Sequence, residues 1–247
     1  MKKILFSFLI SALTLIAGEI NIAVAANVSY AIDALKAEFA KSHPDTNVRV
    51  TLGSSGKLTA QIKNGAPYGL FMSANMKYPQ ALFVDQIAIT KPIVYAQGAL
   101  AYFSVRPRTF SKGVALLQDP KIKRIAIANP KTAPYGIAAF EALKNANVYE
   151  SIKSKFVYGE SISQTVSYTV TAAEIGIIAR SSLYSSRMRH YRENINWISV
   201  DPALYRPIKQ GIVLLKYGAT NSEYLAFYDF ILSESAKNIL KKYGYII

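Results

Sequence analysis

The chain has 247 residues, of which 51% are hydrophobic and 18% are charged. This composition is typical of a globular protein, and the length allows one large α/β unit or two lobes of about 100 residues each. The sequence contains no cysteine. Disulfides, thiolate metal sites, a cysteine nucleophile and a lipid anchor on an N-terminal cysteine are therefore excluded.

The formal net charge is +14, from 29 Lys and Arg against 15 Asp and Glu. The basic residues are scattered, and neither a recognition helix nor a zinc finger accompanies them, so we expect no nucleic acid partner. A diffuse positive field that attracts small anions, or keeps the protein soluble, explains the charge better.

The first residues have the pattern of a signal peptide. Lys2 and Lys3 precede an apolar run, 4–16, that is too short for a membrane span. Cleavage near Ala17 or Gly18 assigns residues 1–18 to the signal peptide and predicts a periplasmic protein without an anchor. Cleavage after Ala25 is rejected, because it would remove residues that alternate like a strand.

Beyond the signal peptide, short β-type runs alternate with helical patterns. In one of these patterns Ile32, Leu35 and Phe39 share one helix face. The alternation predicts mainly parallel sheets that are covered by helices on both faces. The predicted strands are Ile20–Ala25, Val48–Leu52, Leu70–Ser73, Leu100–Val105, Ile125–Ala128, Phe156–Tyr158, Ile175–Ala179, Trp197–Val200 and Ile212–Leu215.

Two proline-containing segments predict where the chain crosses between the lobes. The first is Arg106-Pro107-Arg108, after a predicted strand, and the second is Tyr205-Arg206-Pro207, before one. The C-terminal stretch 219–247 is too small for a domain, so the chain must return to the first lobe. We predict lobe I at 19–105 and 212–247, lobe II at 106–211, and a hinge of two crossings.

Four predicted strand ends lead through a small or polar turn into a helix. Ligands of open α/β sheets bind at the carboxyl ends of strands. Helix N-termini there offer unpaired N–H groups and a positive dipole end. Ordinary capping explains any single turn, whereas four together favour an anion site. The turns are Ala25–Ser29, Gly53–Leu58, Asn129–Gly136 and Gly159–Gln164.

Motifs of enzymes are absent from the same turns. Gly53-Ser54-Ser55-Gly56 is not a G-x-S-x-G elbow, and Thr51 and Leu58 break the P-loop pattern around Gly56-Lys57. His43 and His190 lie in segments typical of the surface, which argues against a catalytic triad. We therefore predict a binding protein with no enzymatic activity and no cofactor.

Several stretches resemble the periplasmic molybdate-binding proteins of ABC transporters, and the resemblance covers the whole mature chain. It implies a two-lobed periplasmic binding protein of type II, a monomer that delivers molybdate or tungstate to an inner-membrane permease. The stretches that carry it are Gly53–Leu58, Gln61–Pro67, Leu70–Ala74, Ile125–Pro130, Pro134–Gly136, Phe227–Ile231 and Lys242–Tyr245.

In that family neutral donors hold the oxyanion, without a lysine, an arginine or a cation ligand. Carried over by position, the ligands here are Asn27, Ser55, Tyr135 and Ile162. Asn27 is expected to donate through its amide, Ser55 through its hydroxyl and backbone N–H, and the other two through backbone N–H groups. Many members have a tyrosine where this chain has Ala179. The Tyr135 phenol is expected to replace the missing hydroxyl.

Neutral donors also select a ligand by its protonation state, because a protonated ligand would oppose a donor with a donor. Molybdate and tungstate are fully ionised at neutral pH, whereas phosphate is not. Sulfate passes this test and must be excluded by cavity size. Another oxyanion such as sulfate, or a ferric ion held by some of the 17 tyrosines, remains an alternative. Molybdate and tungstate are too similar in size to separate.

Overall fold

A computed structural model describes residues 18–247. The predicted signal peptide lies outside these residues, apart from Gly18, which begins the first strand. Residues 18–247 form two five-stranded sheets flanked by helices, and this confirms the predicted two-lobed type II fold. Within residues 18–247, no helix combines the length and the apolar character needed to cross a membrane.

The ten strands are numbered in chain order. They are β1 Gly18–Ala25, β2 Thr46–Gly53, β3 Leu70–Ser73, β4 Ile93–Gly98, β5 Leu100–Phe103, β6 Ile125–Ala128, β7 Phe156–Gly159, β8 Ile175–Ala179, β9 Trp197–Ser199 and β10 Ile208–Leu214.

In the described part of the chain, eight α-helices connect or cover these strands. They are α1 Ile32–Phe39, α2 Ser55–Lys63, α3 Lys77–Val84, α4 Pro134–Asn145, α5 Tyr149–Ile152, α6 Ile162–Thr171, α7 Ser222–Leu232 and α8 Glu234–Lys242. Short 3-10 helices cover Ala26–Tyr30, Phe110–Gln118, Lys153–Lys155, Arg180–Tyr184, Pro202–Leu204 and Lys216–Gly218.

The sheet of lobe I has the strand order β2-β1-β3-β10-β4. Strand β1 is parallel to β2 and β3, and β10 is antiparallel to β3 and β4. Ile20, Ile22 and Val24 pack into the core that includes α1, α7 and α8, whereas Ala23 faces the core that includes α2 and α3. Strand β1 thus lies between two helical layers.

The sheet of lobe II has the order β7-β6-β8-β5-β9. Strand β6 is parallel to β7 and β8, and β5 is antiparallel to β8 and β9. Ile125 and Ile127 of β6 pack with Leu143 of α4, and Phe103 of β5 packs with Val166 of α6. In both lobes, therefore, the parallel strands end at the same edge of the sheet.

The structure corrects the predicted lobe boundaries. Strand β5 pairs with β8 and β9, so the chain crosses at Ala99 and not at Arg106-Pro107-Arg108. The error arose because β4, which was not predicted, is the last strand of lobe I before the crossing. Strand β10 begins at Ile208, before the predicted Ile212, so the return occupies 200–207.

The two crossings lie beside each other and are joined by hydrogen bonds. The backbone N–H of Val200 donates to the Leu100 carbonyl at 3.0 Å, and the N–H of Leu100 donates to the Tyr205 hydroxyl at 3.1 Å. The C-terminal tail runs back to the hinge, where Ile246 exchanges two backbone hydrogen bonds with Gln97. This contact brings Tyr245 to the centre of the molecule.

Candidate functional site

A small cavity lies between the two sheets, at the carboxyl ends of their parallel strands. The empty space that it encloses, including the part open to solvent, is about 190 Å³, which suits a small ligand. Within the described part of the chain, its lining contains no Lys, Arg, His, Asp or Glu. The lining residues are Ala25, Ala26, Asn27, Gly53, Ser54, Ser55, Ala74, Ala133, Pro134, Tyr135 and Ile162.

Three α-helices begin at this cavity. Helix α2 starts at Ser55, α4 at Pro134 and α6 at Ile162. The N–H groups of a first helical turn have no acceptor within the helix, and the helix dipole makes this end positive. Proline has no N–H, so Tyr135 is the first residue of α4 that can donate. The cavity is therefore surrounded by backbone donors suited to an anion.

Two serine hydroxyls face the cavity from the turn between β2 and α2. Ser55 is fully buried, and its Oγ accepts a hydrogen bond from the Ala74 N–H at 2.9 Å. Its own hydroxyl hydrogen is therefore free to be donated. Ser54 is buried too, and its Oγ has no hydrogen-bond partner among residues 18–247. Both hydroxyls can donate to a bound ligand.

Asn27 lies in the 3-10 helix after β1 and is fully buried. Its Nδ2 donates to Gln210 Oε1 at 2.8 Å and to the Tyr245 hydroxyl at 2.9 Å. Its Oδ1 has no partner among the described residues. The amide hydrogens expected to bind the ligand are thus directed at lobe I in this arrangement.

The Tyr135 side chain points toward the hinge. Its hydroxyl accepts a hydrogen bond from Gln210 Nε2 at 3.2 Å and lies against Gly98, where an added Cβ would be 2.0 Å from the hydroxyl oxygen. Burial raises the Tyr135 pKa well above its ordinary value, which keeps the phenol neutral. Ala179 is buried in β8, paired with Leu100, and is not part of the cavity lining. The geometry does not favour the expected exchange of phenols.

All four residues predicted from the sequence, Asn27, Ser55, Tyr135 and Ile162, line the one cavity. Sequence reasoning missed Ser54 and Gln210. Ser54 occupies the N-cap position of α2 without making a capping hydrogen bond, and a serine at that position is normally read as a cap. Gln210 gives no local signal, because its partners lie far away in the sequence.

Comparison with known proteins places this chain in a family. The model of the bacterial extracellular solute-binding proteins matches residues 20–246. The chain belongs to this family. A molybdate-binding protein of Rhodobacter capsulatus is 37% identical over 238 residues, which cover 95% of this chain and 91% of that protein.

Solved structures agree with that assignment. The periplasmic molybdate-binding protein of Azotobacter vinelandii superposes with a TM-score of 0.85 at 29% identity, and the match covers 92% of this chain and 99% of that chain. The recognition of molybdate-binding relatives is thus confirmed. The sulfate-binding protein SubI of Mycobacterium tuberculosis reaches a TM-score of 0.72 at 14% identity, with 92% and 86% covered. This more distant match shows the shared fold alone.

The two lobes of this solute-binding protein are closed on each other. The Gly56 N–H of lobe I donates to the Thr132 carbonyl of lobe II at 2.9 Å. Arg180 Nη2 of lobe II donates to the Gly244 carbonyl at 2.9 Å, and Ser181 Oγ donates to the Asn27 carbonyl at 3.3 Å. A ligand in the cavity would therefore be enclosed by both lobes.

Proposed function

We propose that this protein captures molybdate or tungstate outside the cytoplasm and delivers it to the permease of an ABC transporter. One observation carries the proposal. Three helix N-termini and the Ser55 hydroxyl converge on a small buried cavity whose described lining contains no charged side chain. Similarity to molybdate-binding proteins over nearly the whole chain supports the choice of ligand.

The donors that line the cavity suit a tetrahedral dianion. Such an anion offers four oxygens, each of which can accept more than one hydrogen bond. A hydrogen bond to a charged acceptor contributes roughly 1.5–3 kcal/mol, about twice a neutral one. No carboxylate is present in the described lining to repel the anion. A set of neutral donors can therefore hold a dianion without a cationic side chain.

The proposed ligands are Asn27, Ser55, Tyr135 and Ile162. Ser55 donates its hydroxyl and backbone N–H, and Tyr135 and Ile162 donate backbone N–H groups at the starts of α4 and α6. Ser54 is added to this set, because its buried hydroxyl lines the same cavity and has no partner among the described residues.

A panel of oxyanions tests the proposal. Calorimetry should show molybdate and tungstate binding once per chain, and both should raise the melting temperature, because they bind only the folded closed form. Sulfate and phosphate should bind far more weakly. Equal affinity for sulfate would replace the proposal with the sulfate alternative. Binding of ferric ion without any binding of molybdate or tungstate would refute the oxyanion site altogether.

Location and delivery are tested separately from the ligand. The mature N-terminus should lie near residue 19, in a periplasmic extract of the native host. Removal of Gly18–Ala25 would delete β1, which pairs with both β2 and β3, so a mature start after Ala25 would contradict the proposed processing. Uptake of molybdate by cells should need both this protein and its permease. The protein's task in this scheme is binding and release, without catalysis.

A further inference from the structure

Beneath the cavity, five buried polar side chains form one hydrogen-bonded cluster around Gln210. Gln210 is fully buried on β10, at a bulge in its pairing with β4. Its Oε1 accepts from Asn27 Nδ2 and from the Tyr95 hydroxyl, both at 2.8 Å, and its Nε2 donates to the Tyr135 hydroxyl. The Tyr245 hydroxyl lies 2.9 Å from Asn27 Nδ2. Gln210 thus touches a proposed ligand of lobe I and a proposed ligand of lobe II.

The cluster leaves one atom unsatisfied, and that atom belongs to a residue that lines the cavity. Asn27 Oδ1 is buried and has no hydrogen-bond partner among residues 18–247. Nearly all buried polar groups in proteins are paired. With its Nδ2 directed at Gln210 and Tyr245, Asn27 has only an oxygen left to offer to the cavity. An oxygen facing an oxyanion is repulsive.

Rotation of both amides by half a turn removes this conflict. The Gln210 amide nitrogen then donates to the Asn27 oxygen and to the Tyr95 hydroxyl, and its oxygen accepts from the Tyr135 hydroxyl. The Tyr245 hydroxyl, which now donates to the Asn27 carbonyl at 2.9 Å, can instead donate to the side-chain oxygen of Asn27. The Asn27 carbonyl keeps Ser181 as a donor. Each of these side chains retains a partner, and the amide nitrogen of Asn27 becomes free for the cavity.

We propose that Gln210 is a positioning residue of the oxyanion site, which fixes the Asn27 amide with its N–H toward the anion and links that orientation to lobe II through Tyr135. This inference rests on the proposed function. The Tyr135 hydroxyl packs against Gly98, where any Cβ would collide with it. This contact holds the Tyr135–Gln210 hydrogen bond at the hinge. Gln210 is 183 residues from Asn27 in sequence, and it belongs to one of the strands that enter the hinge.

The test compares molybdate affinity in Gln210→Met, Asn27→Ala and the double variant, with Gln97→Met on β4 as the matched control. Methionine keeps the length of the side chain and removes its hydrogen bonds. Gln210→Met and Asn27→Ala should each weaken binding about 10- to 150-fold, the loss of one charge-assisted hydrogen bond. The double variant should bind molybdate with the affinity of whichever single variant binds less tightly, because both changes remove the same hydrogen bond from the Asn27 amide to the anion. Gln97→Met should bind like the parent.

A second variant, Gln210→Glu, gives a readout that a merely structural role would not produce. An ionised carboxylate only accepts, so it should hold the Asn27 N–H groups away from the anion, whereas the protonated carboxyl can donate as glutamine does. Affinity should therefore recover between about pH 8 and about pH 5, where burial brings the carboxyl into titration. The phenols that face it, Tyr95, Tyr135 and Tyr245, stay neutral, because burial raises the pKa of each. Loss of the glutamate charge at low pH would also reduce repulsion of the anion and raise affinity. That effect should persist when Asn27→Ala is added to Gln210→Glu, whereas the effect of Asn27 amide orientation should vanish there.

The possible outcomes distinguish failure of the proposed function from failure of the positioning role of Gln210. Failure of the parent to bind molybdate or tungstate would refute the proposed function and this inference with it. A parent that binds, with Asn27→Ala weakened and Gln210→Met unchanged, would overturn the positioning role alone. So would additive losses in the double variant, or an equal pH dependence of Gln210→Glu in both backgrounds. Ligand-free melting temperatures and circular dichroism identify any variant that does not fold, and the remaining variant then carries the test.

Discussion

Ser55 serves both the ligand cavity and the fold of lobe I. Its hydroxyl oxygen accepts from the Ala74 N–H at 2.9 Å, and its hydroxyl hydrogen is left for the anion. Ser55→Ala should lower molybdate affinity about 10- to 150-fold, through loss of a charge-assisted bond. It should also lower the unfolding free energy of the ligand-free protein by about 1–3 kcal/mol, because the Ala74 N–H is left buried and unpaired. Calorimetry and urea unfolding measure the two effects.

Lys57 is the matched control on the same helix. Its side chain is exposed and does not line the cavity. Lys57→Ala should change affinity by less than about threefold, which corresponds to under 1 kcal/mol. A large loss in Lys57→Ala would mean that a cationic side chain takes part in binding, and the neutral-donor site would be wrong.

The structure changes the loss of affinity that is expected when the Tyr135 hydroxyl is removed. A hydroxyl bound to the dianion would make Tyr135→Phe lose about 10- to 150-fold in affinity. Since the hydroxyl bonds neutral Gln210, the expected loss is about 1 kcal/mol, or roughly fivefold, and it arises from the link between the lobes. Adding Ala179→Tyr should recover nothing, because Ala179 is buried in β8 outside the cavity lining. Titration of both variants decides, and recovery in the double variant would restore the exchange of phenols.

Cavity residues that follow strand ends could be predicted from the sequence, whereas roles that depend on tertiary contacts could not. Asn27, Ser55, Tyr135 and Ile162 each follow a strand and open a helical turn, which is a local pattern. The role of Gln210 depends on residues brought together from β4, α4, β10 and the 3-10 helix that follows β1. Which atom of the Asn27 amide faces the cavity likewise depends on this cluster and not on neighbouring residues.

At the scale of elements, the predictable strands were those buried on both faces or clearly alternating. Residues of β6 and β8 are all buried, and such apolar runs are typical of parallel strands in α/β proteins. Strand β4 was missed because Ile93 and Val94 are exposed while Tyr95 and Ala96 are buried, a pattern that does not alternate. It also lies at the edge of its sheet, where it pairs with only one neighbouring strand. The missed strand displaced the predicted crossing.

The start of α2 and the loop before α4 form the contact that closes the cleft. Gly56 donates its N–H to the Thr132 carbonyl of the other lobe, and an added Cβ would lie 3.0 Å from that oxygen and 3.1 Å from the Thr132 Cα. Within lobe I the same Cβ meets the Tyr78 hydroxyl at 2.7 Å, which is the far end of a half-buried side chain that can move. Gly56→Ala should therefore oppose closure more than folding.

Gly56→Ala should fold like the parent but should be stabilised less by the ligand. The ligand-free melting temperature should stay close to that of the parent, whereas the increase caused by molybdate should shrink, since the closed form alone binds tightly. Small-angle scattering with molybdate should show a larger open fraction than in the parent. Equal ligand-induced stabilisation in variant and parent would show that the Gly56–Thr132 contact does not limit closure.

At the scale of the whole molecule, buried phenols join the lobes, the hinge and the C-terminus. Tyr205 bonds one crossing to the other, Tyr135 reaches from lobe II to Gln210, and Tyr245 anchors the C-terminal tail to Asn27. These contacts span the chain from its first strand to its last residues. A change in the charge of one phenol would therefore disturb both the site and the packing of the lobes.

Alkaline pH should reveal this dependence. Burial raises the pKa of Tyr245 from 10.0 to about 12, and it also raises those of Tyr95 and Tyr135 well above their ordinary value. A raised folded-state pKa means that the stabilisation is fully present below pH 10, where phenols of the unfolded chain are still protonated. It is lost as the pH rises toward 12, because the unfolded phenol then releases a proton that the folded one retains. For Tyr245 alone the loss is roughly 2–3 kcal/mol.

Urea unfolding should give a nearly constant free energy of unfolding between about pH 7 and pH 9 and a steep decrease above pH 10. Tyr245→Phe should be less stable at neutral pH, because the bonds to Asn27 are gone, but its free energy should decrease less steeply above pH 10. Parallel slopes in parent and variant would show that the Tyr245 phenol does not contribute to the alkaline loss.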